Sequence, residues 1–168
     1  LISKILPYLG GTKWGYGIQK ERICFEHTSL LQKIAPIICY ESVFGSFVTE
    51  YVKKGAEALF IITNDGWWKN TNGYQQHLFF ASLRAIETRR PVTRAANTGI
   101  SCIIDIRGNR TAESEWWVKT TMKGVIFPET RITTYVKYGD YLLEISAIIS
   151  VIILLVIFVM LPIRKKLR

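Results

Sequence analysis

Two short stretches hold the residues best suited to covalent chemistry. In Cys39-Tyr40-Glu41-Ser42 a thiol stands between an apolar run and a helical pattern, with a carboxylate two positions on. A thiol at a helix N-terminus feels the helix dipole and free N–H groups, which lower its pKa and make it a nucleophile. The N–H groups that follow it can also hold the oxyanion formed in acyl transfer. The second stretch is Asn64-Asp65-Gly66-Trp67-Trp68, again just after an apolar run. Two readings of Cys39 stay open from these residues alone: nucleophile, or small buried hydrophobe. Glu41 reads equally as a first-turn helix acid. Trp67 and Trp68 fit a core or an interface as well as a pocket. Cys24 and Cys102 lack such a setting and read as packing residues, Cys102 at the start of an alternating strand. His77 and Glu87 share a helix but have no metal-ligand spacing with other candidates, so His77 reads as a structural or pocket-wall residue and no metal is expected.

These residues need elements to place them, and the chain alternates strand and helix patterns. Residues 1–22 are Gly-rich and basic and read as irregular. Ile34 to Cys39 and Ala58 to Thr63 are short apolar runs, hence strands, the second apolar on both faces as strands covered by helices on each side are. Val43 to Lys54 carries Phe44, Phe47, Val48, Tyr51 and Val52 at helical spacing, and Gly55 caps its end. Tyr74 to Arg89 is a second helix, stopped by Pro91. Val92 to Ala96 and Ser101 to Ile106 are further strands; a Gly108-Asn109 turn leads to another arm near Ala112 to Val118. In open α/β sheets, sites form where strands end and helices begin. Parallel strands would bring Cys39 and Asn64 to one edge of the sheet.

Composition narrows the class. The 168 residues are 49% apolar and 12% aromatic, which excludes disorder, and three cysteines exclude a disulfide-rich secreted fold. The net charge of +9 invites a nucleic-acid reading, but Arg164, Lys165, Lys166 and Arg168 crowd the last five positions. No basic face with interleaved aromatics remains, so no nucleic-acid partner is expected. Upstream of that tail, Ile145 to Ile163 has no charge, and 15 of its 19 residues are Ile, Leu, Val, Phe or Met. As a helix it is roughly 28 Å long, close to a bilayer's hydrocarbon core. It is apolar all round, as a membrane span is and a one-sided core helix is not. Pro162 lies where such a helix can stop cheaply. Positive charge after the span predicts a cytoplasmic C-terminus, with residues 1–144 on the outer face.

The motifs I-I-C-Y-E-S, I-I-T-N-D-G-W-W and Q-Q-H-L-F-F-A-S-L-R-A-I-E-T-R-R-P-V-T-R-A-A-N-T-G-I-S, in that order, resemble the nitrilase superfamily, and more narrowly its bacterial apolipoprotein N-acyltransferase branch. A final apolar helix with a basic tail is similar to that branch and unlike the soluble amidases. The resemblance runs from about Ile34 to the C-terminus. It implies part of an α-β-β-α sandwich (residues 1–140), a transmembrane helix (141–163) and a basic cytoplasmic tail (164–168). It also implies a multi-pass protein of the bacterial inner membrane, with the catalytic part on the periplasmic face.

The reaction implied is acyl transfer without a cofactor. A cysteine takes an acyl chain from a phospholipid as a thioester and passes it to the α-amine of a diacylglyceryl-cysteine lipoprotein. By motif position Cys39 is the nucleophile, Tyr40 supplies a neighbouring N–H, and Glu41 matches a family glutamate that shapes the site. Asn64 and Trp67 belong to the loop that lines the lipid pocket. The family's glutamate base and its lysine, set in a His-Lys…Leu-Val-Pro-like segment, should precede the cysteine, and no such segment does so here. Lys4, Lys13, Lys20 and Lys33 lack that context. The resemblance therefore implies the C-terminal third of a longer protein, inactive alone and with one sheet face uncovered. The alternatives are a membrane-tethered amidase of the same superfamily and an inactive remnant.

Overall fold

The computed structural model describes residues 19–28 and 32–166. Residues 1–18, which make up most of the Gly-rich stretch and include Lys4 and Lys13, lie outside the described residues, as does Arg168 of the basic tail. Six strands form one mixed sheet in sequence order: β1 Phe25–Glu26, β2 Lys33–Ile38, β3 Ala58–Asn64, β4 Val92–Asn97, β5 Cys102–Ile104 and β6 Arg110–Glu113. β2, β3 and β4 are parallel, while β1 and the β4-β5-β6 meander pair antiparallel. The parallel strands are linked by helices α1 Gly45–Lys53 and α2 Asn72–Thr88, as crossovers between parallel neighbours require.

The helix limits follow local chemistry. The Thr71 hydroxyl accepts a hydrogen bond from Gly73 N at 3.3 Å and starts α2. Arg89 closes that helix in a left-handed conformation (φ 53°), two residues before Pro91. Gly55, at φ 97°, turns the chain after α1, where a side chain would be strained.

Helices α1, α2 and the short α3 (Thr134–Tyr138) pack on one face of the sheet. Ala35, Ile37, Leu59, Ile61 and Val92 meet Val48, Val52, Leu78, Ala81, Ala85 and Val136 in one core. Among the described residues, the opposite face is open over β2, β3 and β4. The row Ile38, Ile62 and Ala95, aligned across three strands, points to solvent, with Ile38 64% and Ile62 60% exposed. The expectation of helices on both sides of β3 therefore fails for the described residues. The strand is apolar on both faces, but its helical crossovers lie on the same side.

Three local expectations need correction. The arm expected near Ala112 to Val118 forms instead at Arg110–Glu113, and Trp116 beyond it stacks on Tyr74 at 5.4 Å between centroids. Cys102, Ile103 and Ile104 are all buried rather than alternating, because the chain near Gly124 lies against Ile103 on the face away from the core. The final helix, α4 Tyr141–Lys166, runs through Pro162 instead of stopping there. Proline removes only one backbone donor, and continuing the helix satisfies the neighbouring groups internally. Within α4, Tyr141–Phe158 is long and apolar enough to cross a membrane, and none of it is buried against the protein.

Candidate active site

The parallel register of β2, β3 and β4 brings Cys39, the Asn64–Trp68 loop and Asn97–Thr98 to one edge, as expected. The chain leaves β2 through a 3-10 turn, Cys39–Val43, and Cys39 itself takes a left-handed conformation (φ 53°). Such a backbone is costly for a residue with a Cβ, so the surrounding structure must hold it. It presents a half-buried thiol at the top of the sheet. The first N–H groups of the turn, Tyr40's among them, have no acceptor within it, which suits them to an oxyanion.

Glu41 turns back rather than toward the thiol. Its carboxylate accepts a hydrogen bond from Ile38 N at 2.7 Å and so clamps the start of the turn. Tyr40 is half exposed, with its ring 5.9 Å from both Phe44 and His77. The Asn64 side-chain oxygen, Oδ1, accepts from Gly66 N at 3.1 Å and from the Thr98 hydroxyl at 3.2 Å, tying the β3 and β4 loops together. Trp67 projects from the next turn with 82% of its surface exposed. Its neighbour Trp68 lies against Gly73, where a Cβ would come within 2.5 Å of the ring.

Beneath Cys39 lies a buried polar chain that the sequence alone does not reveal. Arg94 of β4 donates to Asp65 Oδ2 at 2.6 Å and also to the Ile100 carbonyl. Asp65 Oδ1 accepts from His77 Nδ1 at 3.0 Å. The other ring nitrogen of His77 is 3.1 Å from Ser42 Oγ and 3.2 Å from the Cys39 carbonyl. Ser42 Oγ in turn donates to that carbonyl at 2.8 Å. The chain thus ends on the backbone of the strained residue it supports. Burial would push the Asp65 carboxyl up, but hydrogen bonds from His77 and Arg94 override it and hold the group below the usual carboxylate range. Gly99 makes this possible, since a Cβ there would collide with the Asp65 carboxylate.

Thr63 completes the site. Its buried hydroxyl lies 3.3 Å from Cys39 Sγ and 3.2 Å from Asp65 Oδ1. Among the described residues no carboxylate, histidine or lysine hydrogen-bonds to Sγ. The other two thiols have different surroundings. Cys24 Sγ donates to the Tyr51 carbonyl at 3.5 Å. Cys102 is fully buried in the core, and burial pushes its thiol up to about 11. Thr63, Asp65, His77 and Arg94 come from β3, its following turn, α2 and β4, so no spacing along the chain announces them. The signals available were the Thr-Asn-Asp step at the strand end and the Q-Q-H and P-V-T-R stretches of the third motif.

Residues 12–135 match the carbon-nitrogen hydrolase family model. Apolipoprotein N-acyltransferases are similar in sequence. That of Chlorobaculum tepidum is 42% identical over 64% of this chain and 20% of its own length. That of Haemophilus influenzae is 35% identical over 80% of this chain and 25% of its own length. The chain thus spans about a fifth to a quarter of these relatives. Among solved structures, an amidase from Nesterenkonia sp. superposes with a TM-score of 0.51 at 14% identity, covering 78% of this chain and 49% of that one. A carbon-nitrogen hydrolase from Helicobacter pylori gives 0.51 at 12% identity, covering 59% of this chain and 41% of that one. The parallel strands that end on Cys39 and Asn64 are therefore a shared fold, and the chain belongs to the carbon-nitrogen hydrolase family, the nitrilase superfamily.

Proposed function

We propose that this chain is the nucleophile-bearing part of a membrane-bound acyltransferase that moves an acyl chain from a phospholipid to the N-terminal amine of a diacylglyceryl-cysteine lipoprotein. The observation that carries this reading is Cys39 on its left-handed strand-to-helix turn, at the same sheet edge as the loop with the exposed Trp67, in a chain that continues into an apolar helix. Similarity to apolipoprotein N-acyltransferases at 42% and 35% identity supports it.

In the proposed reaction the Cys39 thiolate attacks the ester carbonyl of the donor. Turn N–H groups, Tyr40's included, take up the oxyanion charge. The ester C–O bond breaks, the lysophospholipid leaves with a proton, and the acyl group stays on sulfur. The acceptor amine then attacks the thioester, the C–S bond breaks, and the thiolate is restored. Glu41 shapes the turn by holding Ile38 N, while Asn64 and Trp67 border the lipid-binding side. The general base comes from outside the described residues. The apolar helix crosses the inner membrane, leaves the site on the periplasmic face and ends in the cytoplasm. A second layer of the sandwich covers the open Ile38–Ile62 face.

The test is the full-length protein with labelled phospholipid. An acyl-enzyme that resists detergent and is cleaved by neutral hydroxylamine should accumulate, and Cys39→Ala should abolish it. Cys24→Ala and Cys102→Ala should change it little. Persistence of the adduct in Cys39→Ala removes the assignment. Ammonia release from a small amide, with no transfer to lipopeptide, would point to an amidase instead.

A further inference from the structure

The reading of Cys39 as nucleophile leaves open what steadies its sulfur when it carries charge. A thiolate in a half-buried position loses stabilisation unless a donor reaches it. Tyr40 and Phe44 flank the turn, and Glu41 is committed to Ile38 N. The side-chain donor in contact with Sγ is the Thr63 hydroxyl at 3.3 Å.

A hydroxyl has one proton, and Thr63 has two acceptors in reach, Cys39 Sγ and Asp65 Oδ1. Which one receives the proton depends on what else each can call on. Asp65 keeps His77 Nδ1 on Oδ1 at 3.0 Å and Arg94 on Oδ2 at 2.6 Å, so it stays well satisfied when the hydroxyl turns away. The sulfur has no such second donor among the described side chains. When Cys39 is a neutral thiol, the hydroxyl can donate to Asp65 and accept from S–H. When the thiol proton leaves to a base, a rotation about one bond sends the hydroxyl proton to sulfur. The buried Arg94–Asp65 pair, with both side chains fully inaccessible, holds the pivot in place. Thr63 is β-branched and on a central strand, which limits its rotamers and keeps the oxygen near Sγ.

We propose that the Thr63 hydroxyl is a catalytic hydrogen-bond donor to the Cys39 thiolate, and that Asp65, satisfied by His77 and Arg94, frees that hydroxyl to turn to sulfur. The proposal rests on Cys39 being the nucleophile, but its test does not depend on the identity of the acyl donor. Hydrogen bonds to charged groups are the stronger class, so losing this one should weaken the thiolate by about tenfold in population.

The experiment measures the rate of Cys39 alkylation by iodoacetamide in full-length protein in detergent, read by mass spectrometry of the peptide that contains Cys39. Thr63→Val and Thr63→Ala should slow the reaction about tenfold at pH 7 and leave it within twofold at pH 10.5, well above the ordinary range for thiols. Thr63→Ser keeps the hydroxyl and should stay within twofold of the parent at both. An equal loss at both pH values means altered access or folding and overturns the proposal. So do unchanged rates in Thr63→Val and Thr63→Ala, or a Thr63→Ser protein that behaves like Thr63→Val. If the alkylation contrast holds but no phospholipid-derived thioester forms on the parent protein, the acyltransferase reading fails and this one stands. If the thioester forms and the contrast is missing, the reverse follows.

Discussion

His77 Nδ1 lies 3.0 Å from Asp65 Oδ1, with 2% and 0% of their side-chain surfaces exposed, directly beneath a turn whose first residue is Cys39. On its other side Asp65 holds the equally buried Arg94. The pair links the two loops that matter for the site, because Asp65 follows β3 and His77 reaches from α2 to the Cys39 carbonyl at 3.2 Å. A strained backbone persists only where its surroundings over-determine it. This chain of contacts supplies that restraint from the inside of the fold.

Replacing Asp65 by Asn should therefore be among the most damaging single changes. It removes the charge partner of a guanidinium that has no solvent to turn to, and orphaned buried charges cost about 3–5 kcal/mol. A urea titration of Asp65→Asn should show that loss. By contrast, Arg110→Ala breaks the exposed Arg110–Glu113 pair of 2.9 Å and should cost under about 1 kcal/mol. A shift of similar size for both variants would contradict the account.

The same carboxylate sets an acid limit. Its folded-state pKa lies below the unfolded value of 3.8, so the folded protein holds the ionised form more tightly. Stability from this source is complete above about pH 4 and is lost as pH falls through the folded pKa. Glu129, held down to about 2 by hydrogen bonds from the Arg131 side chain and the backbone of Arg131 and Thr130, acts in the same direction, but it sits partly open beside the exposed Arg131 and solvent screens the pair. Thermal melts from pH 7 to 2.5 should thus show the midpoint falling below pH 4. In Glu129→Gln the curve should keep that shape, because the buried Asp65 dominates it.

Much of this architecture can be read along the chain, and some of it cannot, for a physical reason. The core strands β2, β3 and β4 and the step at Cys39 follow from apolar runs bounded by helical patterns, which are local signals. The support beneath Cys39 joins residues 12, 29 and 35 positions apart, and ion pairs between crossing elements leave no periodicity. His77 looks like any wall residue until Asp65 and Ser42 are placed beside it. The two-sided apolarity of β3 was legible, but not which side the helices choose. Glu41 remained ambiguous for the same reason, since a first-turn acid and a site glutamate carry the same residue type. In the structure its carboxylate accepts from Ile38 N at 2.7 Å, at the start of the turn that carries Cys39.

Gly99 tests how tightly the buried pair is enclosed. An alanine Cβ at this position would overlap the Asp65 carboxylate and its Cβ, and both belong to a part of the structure that cannot swing aside without breaking the Arg94 contact. Overpacking of this kind costs about 1–3 kcal/mol. Gly99→Ala should lower the unfolding midpoint accordingly and slow acyl-enzyme formation, because Cys39 is held through the same chain. Normal stability together with normal acylation in Gly99→Ala would show that the pair can relax.

The adjacent tryptophans should separate by function. Trp68 lies over Gly73 at the start of α2, and Trp67 beside it is 82% exposed. Surface substitutions away from buried features usually change stability by less than about 0.5 kcal/mol. Trp67→Ala should therefore melt like the parent protein, while Trp68→Ala, losing its contact with the helix start, should fall by about 1 kcal/mol or more. A water-exposed indole offers apolar surface that a partner can cover. In the proposed reaction that partner is the lipid, so Trp67→Ala should raise the phospholipid concentration needed for half-maximal acylation several-fold while leaving the maximal rate within about twofold, as expected when ground state and transition state lose the same contact. A fall in the maximal rate with no change in that concentration would place Trp67 at the reacting bond instead of along the chain of the donor. Destabilisation of Trp67→Ala equal to that of Trp68→Ala would instead make both residues parts of the fold.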